Sequence, residues 1–219
     1  MSGRSLFSAL VGLGLVLLCA GLGLAKEKPV PGVMEMFNNF NELEESFRKA
    51  KWDEAMTITK KVEADYLKLV PSLKNTVDAK TIQKFTFLIG SFKKKIEEKD
   101  SEAIEKHFVN LQSLFLDIMD LYAYDKPPAL LIAARYVGEA AEALEKADFD
   151  DVGDEMDEIM GFKDRITKAL TGMGGAPQAF FDLVEKVEKK AKAKDKEGSE
   201  AALAELKAFL QPYVPVPGN

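Results

Sequence analysis

The sequence predicts an all-α protein: a tandem duplication of an antiparallel up-down four-helix bundle, with eight helices, after an N-terminal signal segment. Three observations lead to this prediction. Apolar residues recur at spacings of three and four, polar residues or Pro and Gly clusters separate these stretches, and one stretch matches another 97 residues further on. No segment alternates with a period of two for long enough to predict a strand.

The first 25 residues have the layout of a signal peptide. Arg4 precedes an apolar run from Leu6 to Leu24, and the small residue Ala25 comes just before a charged segment. We therefore expect cleavage after Ala25 and a periplasmic or secreted protein. Two alternatives remain: the run is almost long enough to cross a bilayer and act as a retained anchor, or a lipid is attached at Cys19.

The eight predicted helices each carry one apolar stripe. The stripes span residues 36–50, 55–73, 82–96, 104–122, 130–144, 152–170, 180–191 and 202–213. Four short polar residues precede stripes and are predicted to cap helices, because their side chains accept hydrogen bonds from free N–H groups of a first turn. These are Asp53, Ser101, Asp150 and Ser199. Pro127 with Pro128, and the segment 172–177, separate further helices.

The internal repeat covers four helices. A shift of 97 residues places segment 47–55 on 144–152, and a shift of 98 places 100–103 on 198–201. This period favours a duplicated bundle over a solenoid of helical hairpins; one continuous eight-helix assembly is the alternative. The predicted division is a signal peptide or anchor (1–25), a Pro-rich, unfolded spacer (26–32), a first bundle (33–125), a second bundle (127–213) and a Pro-rich, unfolded tail (214–219).

Composition excludes several classes of function. Cys19 is the only cysteine and lies in the leader, so a mature chain has no disulfide, no Cys-ligated zinc and no covalent haem box. His107 is the only histidine, which excludes a Ser-His-Asp triad, a zincin and a two-histidine di-iron site. The net charge of −6, with Lys and Glu interspersed, gives no basic face for nucleic acid.

An acidic run at 148–158 has the spacing of a calcium loop over its first half only. Val152 and Ile159 stand where oxygen ligands are required. Carboxylates at a helix N-terminus are favoured by the backbone dipole, which explains the run without an ion. We therefore predict no metal site.

Two stretches, Met34 to Leu43 and Phe87 to Ala103, carry a family resemblance. Residues 34–122 resemble the soluble b-type cytochromes of bacterial periplasms and, more loosely, the cytochrome c-prime family. The resemblance implies a four-helix bundle with haem between its first and last helices, and an axial methionine that matches Met34 or Met36. The family's histidine ligand falls at Ile118 or Met119 here, and the c-prime attachment box is absent.

We expect a non-enzymatic periplasmic binding, adaptor or structural module without a cofactor, whose partner is an unknown protein or a small hydrophobic ligand. Membrane contact is expected only through an uncleaved N-terminal segment. The alternative is an electron carrier or sensor that holds haem b or a flat hydrophobic ligand near Met34, Met36 and Met119. No catalytic constellation is found, although carboxylates or a tyrosine inside a bundle perform acid–base chemistry without a sequence signature.

Overall fold

The computed structural model describes residues 26–216, so the predicted signal segment and the last three residues lie outside the described range. Within that range the protein is all-helical, as the apolar periodicity predicts, with nine α-helices and one isolated bridge. The helices are α1 (Val33–Arg48), α2 (Trp52–Leu73), α3 (Ala79–Glu98), α4 (Ser101–Met119), α5 (Pro128–Glu145), α6 (Phe149–Gly161), α7 (Lys163–Gly172), α8 (Pro177–Lys192) and α9 (Lys196–Leu210).

The predicted number of eight helices is wrong for this range, because the sixth predicted helix is divided into α6 and α7. The division falls at Phe162, which follows Gly161, a residue of low helix propensity. The ring of Phe162 stacks on that of Tyr136 in α5, with centroids 6.3 Å apart. The apolar stripe continues across the division, so its periodicity alone gave no sign of a break.

Four hairpin turns have a residue in the left-handed region at the end of the first helix: Ala50, Lys99, Ala147 and Lys194, with φ between 53° and 57°. Asp100, Asp148 and Asp195 then cap the following helices, each accepting a hydrogen bond from a backbone N–H of the first turn. The predicted caps at Asp53, Ser101, Asp150 and Ser199 are wrong, since all four lie inside helices. Glycine normally marks such turns, and its absence hid the true boundaries.

The observed turns agree with one of the two sequence matches and disagree with the other. Ala50 and Ala147 are 97 residues apart, as the sequence match requires. Lys99 and Lys194, each followed by a capping aspartate, are 95 residues apart. The shift of 98 inferred from the sequence therefore joins residues that do not occupy equivalent positions in the two turns.

Replacing Asp100 with alanine tests the corrected boundary of α4. We expect the free energy of unfolding in urea to fall by about 1 kcal/mol, because Asp100 Oδ1 accepts a hydrogen bond from Ala103 N at 3.1 Å. Ser101→Ala is the matched control and should cost less than about half as much, since Ser101 is already helical. A larger loss for Ser101→Ala than for Asp100→Ala would contradict this boundary.

The helices contact one another in two groups. In the first group, each of α1 to α4 contacts the next, and α4 also contacts α1. In the second group, α5 contacts α6, α7 and α9, and α8 contacts α6, α7 and α9. Contact between the groups includes that of α4 with α5. Phenylalanine rings fill the interior of the first group, where Phe40 stacks on Phe115 with centroids 4.9 Å apart.

The two Pro-rich segments, predicted to be unfolded, pack against the helices where the structure describes them. Ala123 N donates to Glu27 O at 2.8 Å, and Thr76 donates to the Glu27 carboxylate. Val214 and Val216 are buried. Apolar residues beside the prolines explain the difference, because burying them offsets the cost of ordering the chain. The Glu27 bond also places the start of α1 near the end of α4.

In the part of the chain that the structure describes, we find no helix with the length and apolar character needed to span a membrane.

Candidate functional site

A cluster of buried charged groups joins the two helix groups. Glu44 on α1 is only 2% exposed, although it carries a carboxylate. One of its oxygens accepts from Arg135 Nη2 at 2.6 Å, and the other accepts from the Tyr136 hydroxyl at 3.0 Å. Both partners lie on α5, and the Arg135 guanidinium lies over the Tyr136 ring, 4.2 Å from its centroid. Glu44 therefore anchors α1 to α5 through charge-assisted hydrogen bonds.

Arg48, one turn after Glu44, extends the cluster to α6. Its Nη2 lies 3.0 Å from Glu44 and 2.7 Å from Glu158, and its Nη1 lies 3.4 Å from Glu155. A planar guanidinium with several donors suits this position, because it binds carboxylates from two helices at once. We call Glu44, Arg48, Arg135, Tyr136, Glu155 and Glu158 the joint cluster.

Burial changes the acidity of the joint cluster. Removal from water, together with the nearby charge of Glu139, raises the pKa of Glu155 to about 8, against the pull of Arg48 and Arg135. Glu155 Oε2 is buried and has no hydrogen-bond partner among the described residues. Burial also raises the pKa of Glu158, again against the attraction of Arg48. The raised pKa favours the protonated form of Glu155, and protonation lowers the cost of burying this carboxyl.

The two arginines of the cluster keep their positive charge although burial opposes it. Burial by itself lowers the pKa of Arg135, but the Glu44 carboxylate and its neighbours more than reverse this and raise the pKa overall. Arg48 behaves in the same way, with Glu44 as its main attractive partner. Burial raises the pKa of the Tyr136 phenol, and the Glu44 charge raises it further. Tyr136 therefore stays a neutral donor to Glu44.

A cavity of about 610 Å³ opens beside the joint cluster, between α1, α4 and α6. Its walls carry two cations, Arg48 and Lys106, and three times as many carboxylates. The carboxylates are Glu44, Glu105, Asp151, Asp154, Asp157 and Glu158. We call this cavity the acidic cleft. Its volume lies within the range of ligand-binding clefts.

The helix dipole explains only part of this acidity. Asp150 and Asp151 lie in the first turn of α6, where the backbone favours negative charge. Asp154 and Asp157 lie one and two turns further along, are exposed, and line the cleft. Like charges three or four residues apart destabilise a helix by roughly 0.2–0.5 kcal/mol per pair. Carboxylates at 151, 154, 157 and 158 therefore reduce the stability of α6.

The acidic cleft also has an apolar wall and a buried amide without a partner. Phe47, Phe108 and Val109 line it, and the Val109 side chain is largely exposed. Gln112 is 4% exposed, lines the cleft, and its Nε2 has no hydrogen-bond partner in residues 26–216. A buried polar group without a partner is uncommon in a folded protein. The cleft therefore offers charge and apolar contact to one ligand, and an amide without a partner is buried in its wall.

The candidate ligand methionines Met34, Met36 and Met119 lie in the first helix group. Met36 and Met119 are fully buried and Met34 is partly buried, all within or against the core. Neither the acidic cleft nor the cavity beside Tyr122 is lined by any of the three. Aromatic rings also fill the interior of the first helix group, where the ring centroids of Tyr66 and Phe85 lie 4.2 Å apart. The haem alternative stays a prediction.

His107 and the acidic run at 148–158 are the remaining residues that the sequence singled out. His107 is partly buried, and its Nδ1 lies 2.8 Å from Ala103 O within the same helix. Within residues 26–216, no group of three or more His, Cys, Asp and Glu is arranged to hold a metal ion. The acidic run at 148–158 forms the cap and most of α6, and it supplies four of the carboxylates of the acidic cleft.

Sequence reasoning missed the joint cluster. One signal was present, because Glu44 lies among the stripe positions Phe40, Leu43 and Phe47 and so faces the interior of a helix packing. Arg135 and Tyr136 similarly stand between the buried residues Ala134 and Val137. Neither apolar stripe, however, determines which of these charged groups form pairs.

The fold and the site define an all-helical protein with a buried ionic joint beside an acidic cleft. Comparison of the chain with protein-family models, with curated proteins and with solved structures found no match.

Proposed function

We propose that this protein is an exported, non-enzymatic binding or adaptor module of two tandem four-helix bundles. Its acidic cleft holds a partner polypeptide segment that carries Lys or Arg beside apolar residues. The observation that carries the proposal is the acidic cleft itself, where six carboxylates and two cations surround a partly apolar cavity. Export rests on the signal-like leader, residues 1–25, which lies outside the described residues.

The helix contacts support the duplicated bundle. In a hairpin solenoid each hairpin contacts the next in the same way, whereas here the α1–α2 hairpin contacts the α3–α4 hairpin much more extensively than α4 contacts α5. Ala50 and Ala147 further correspond at 97 residues, and the backbone bonds from Lys51 N to Ser46 O and from Asp148 N to Ala143 O are equivalent. All four hairpin turns share the left-handed residue, so the turns do not separate the two architectures, and the support for a duplicated bundle comes from the helix contacts.

Charge supports a cationic partner. The whole chain carries a net charge of −6, which favours encounter with a basic protein over long distances. Asp154 and Asp157 project from one face of α6 into the cleft, while Glu44 and Glu158 are already bound to Arg48. The exposed carboxylates are therefore the ones available to a partner.

The shape of the cleft supports a polypeptide over a single small cation. A volume of about 610 Å³ accommodates several side chains, and its walls combine carboxylates with Phe47, Phe108 and Val109. Ions bound only by exposed carboxylates gain little free energy in water, whereas burial of apolar side chains adds affinity. A segment with alternating basic and apolar residues uses both features.

A labelled peptide tests the proposal. The probe is a short fluorescein-labelled peptide with lysines beside leucines, and its counterpart has glutamates in place of the lysines. We expect the lysine peptide to bind in fluorescence anisotropy and the glutamate peptide not to bind. Asp154→Asn with Asp157→Asn should weaken binding about tenfold at low salt, since both carboxylates line the cleft.

The matched control removes two exposed carboxylates elsewhere. Glu185→Gln with Asp125→Asn changes the net charge by the same amount, and neither residue lines the cleft. This variant should bind the lysine peptide nearly as the unchanged protein does. Equal weakening by both double variants would assign binding to overall charge and refute a specific cleft.

A further inference from the structure

A second cavity lies at the opposite end of α4 from the acidic cleft, and its chemistry is different. It has a volume of about 420 Å³ and is bounded by the end of α4, the loop before α5, the start of α5, and α7. Three cations line it, Lys26, Arg165 and Lys168, with Asp120 as the one carboxylate. Arg165 pairs with both Asp117 and Asp120, so the positive charge left at this cavity comes from Lys26 and Lys168, which have no ion pair among the described residues.

Tyr122 and Tyr124 line the same cavity, and the hydroxyl group of each is buried. Tyr122 is 1% exposed, and the hydroxyls of both Tyr122 and Tyr124 have no hydrogen-bond partner among the described residues. Burial raises the pKa of Tyr124 well above its usual range, so its hydroxyl keeps its proton. A buried hydroxyl without a partner costs free energy, which a ligand with acceptor oxygens restores.

The remaining walls are apolar or made of small residues. Ala123, Pro128, Ala129, Ala169 and Met173 line the cavity, and Gly172 leaves open space where a Cβ would stand. Pro128 and Ala129 begin α5, an 18-residue helix whose N-terminus has no side-chain cap in the described part of the chain. The partial positive charge of that N-terminus adds to the attraction for an anion.

We infer that this cavity binds a small carboxylate with an apolar body, such as an aliphatic monocarboxylate. The carboxylate accepts hydrogen bonds from the Tyr122 and Tyr124 hydroxyls and is attracted by Lys26 and Lys168. The hydrocarbon part lies against Pro128, Ala129, Ala169 and Met173. The site is independent of the acidic cleft, because the two cavities share no residue.

Octanoate is the probe, measured by isothermal titration calorimetry on the purified protein. We expect one molecule to bind per chain, whereas octylamine, of equal length and opposite charge, should not bind. Lys168→Gln and Tyr122→Phe should each weaken octanoate binding about tenfold, because one removes a cation and the other a hydroxyl at the cavity. Lys189→Gln, an exposed position on α8, is the charge control and should bind as before.

A cavity-filling pair keeps the test decisive if Tyr122→Phe folds poorly. Gly172→Leu places a side chain where nothing stands within 4 Å of the Cβ, so it should block binding without disturbing the backbone. Gly161→Leu is the matched control, because Gly161 has equal space and lies outside the cavity. Absence of octanoate binding, or equal binding by the Gly172→Leu protein, would overturn the inference. If the Gly172→Leu protein still binds the lysine peptide, its loss of octanoate binding does not come from damage to the acidic cleft.

Discussion

Replacing Glu44 with glutamine is expected to lower the free energy of unfolding by about 3 kcal/mol at neutral pH. The substitution keeps the shape of the side chain but removes the charge that Arg48 and Arg135 share. Both guanidiniums would then lack their central partner, and the Tyr136 hydroxyl would lose a charged acceptor. Urea denaturation followed by circular dichroism measures the change.

Glu45→Gln is the matched control for this prediction. Glu45 is the next residue, is exposed, and pairs with Lys49 at the surface. Exposed pairs of this kind contribute little, so the control should change stability by less than about 0.5 kcal/mol. The double variant Glu44→Gln with Arg135→Gln should cost less than the sum of the two single changes, because they remove one interaction. Equal effects of Glu44→Gln and Glu45→Gln would show that the joint cluster adds no stability.

The second large effect concerns pH. The pKa of Glu155 rises from 4.5 to about 8 on folding, mainly because the carboxyl is buried. Between these two values the folded protein holds a proton that the unfolded chain has released, so stability falls as pH rises through this window. Each pKa unit corresponds to about 1.4 kcal/mol. The titration of Glu155 is coupled to that of neighbouring carboxyls. We therefore expect the free energy of unfolding to fall by roughly 2–4 kcal/mol between pH 5 and pH 8.

Glu155→Gln separates this contribution from all others. Glutamine resembles the protonated carboxyl, so the variant should be more stable than the unchanged protein at pH 8 and nearly equal to it at pH 5. Carboxylates with a lowered pKa, such as Glu98 and Asp195, lose their contribution only below about pH 5 and leave this window unaffected. An identical pH profile for the variant and the unchanged protein would contradict the assignment to Glu155.

The helices were predictable because each buries one stripe. The periodicity of residues such as Phe40, Phe47 and Phe108 identifies helix faces directly, and all three are buried. Helix ends were less predictable, because Ala50 and Ala147 adopt a left-handed conformation that glycine usually marks. The break at Phe162 was not predicted either, because the apolar stripe continues from α6 into α7.

The candidate sites could be predicted only in part. The acidic run of α6 is visible in the sequence, but its place opposite Glu105 of α4 depends on how the two helix groups meet. The cavity at Tyr122 joins residues from the start of the described chain to Met173, and no local pattern brings these together. Met34, Met36 and Met119 were selected from the expected position of helix ends and from a family resemblance, and both cavities are lined by other residues.

The sequence by itself determined that the described chain is all-helical, because an apolar stripe with helical spacing is a local property that each segment carries alone. Only the tertiary structure decided that Glu44, Arg48, Arg135 and Glu155 meet, since these residues come from three helices up to 111 positions apart. Electrostatic interactions act through space and depend on burial, so their partners and pKa shifts follow from packing. The same holds for both cavities, whose walls exist only after the helices have docked.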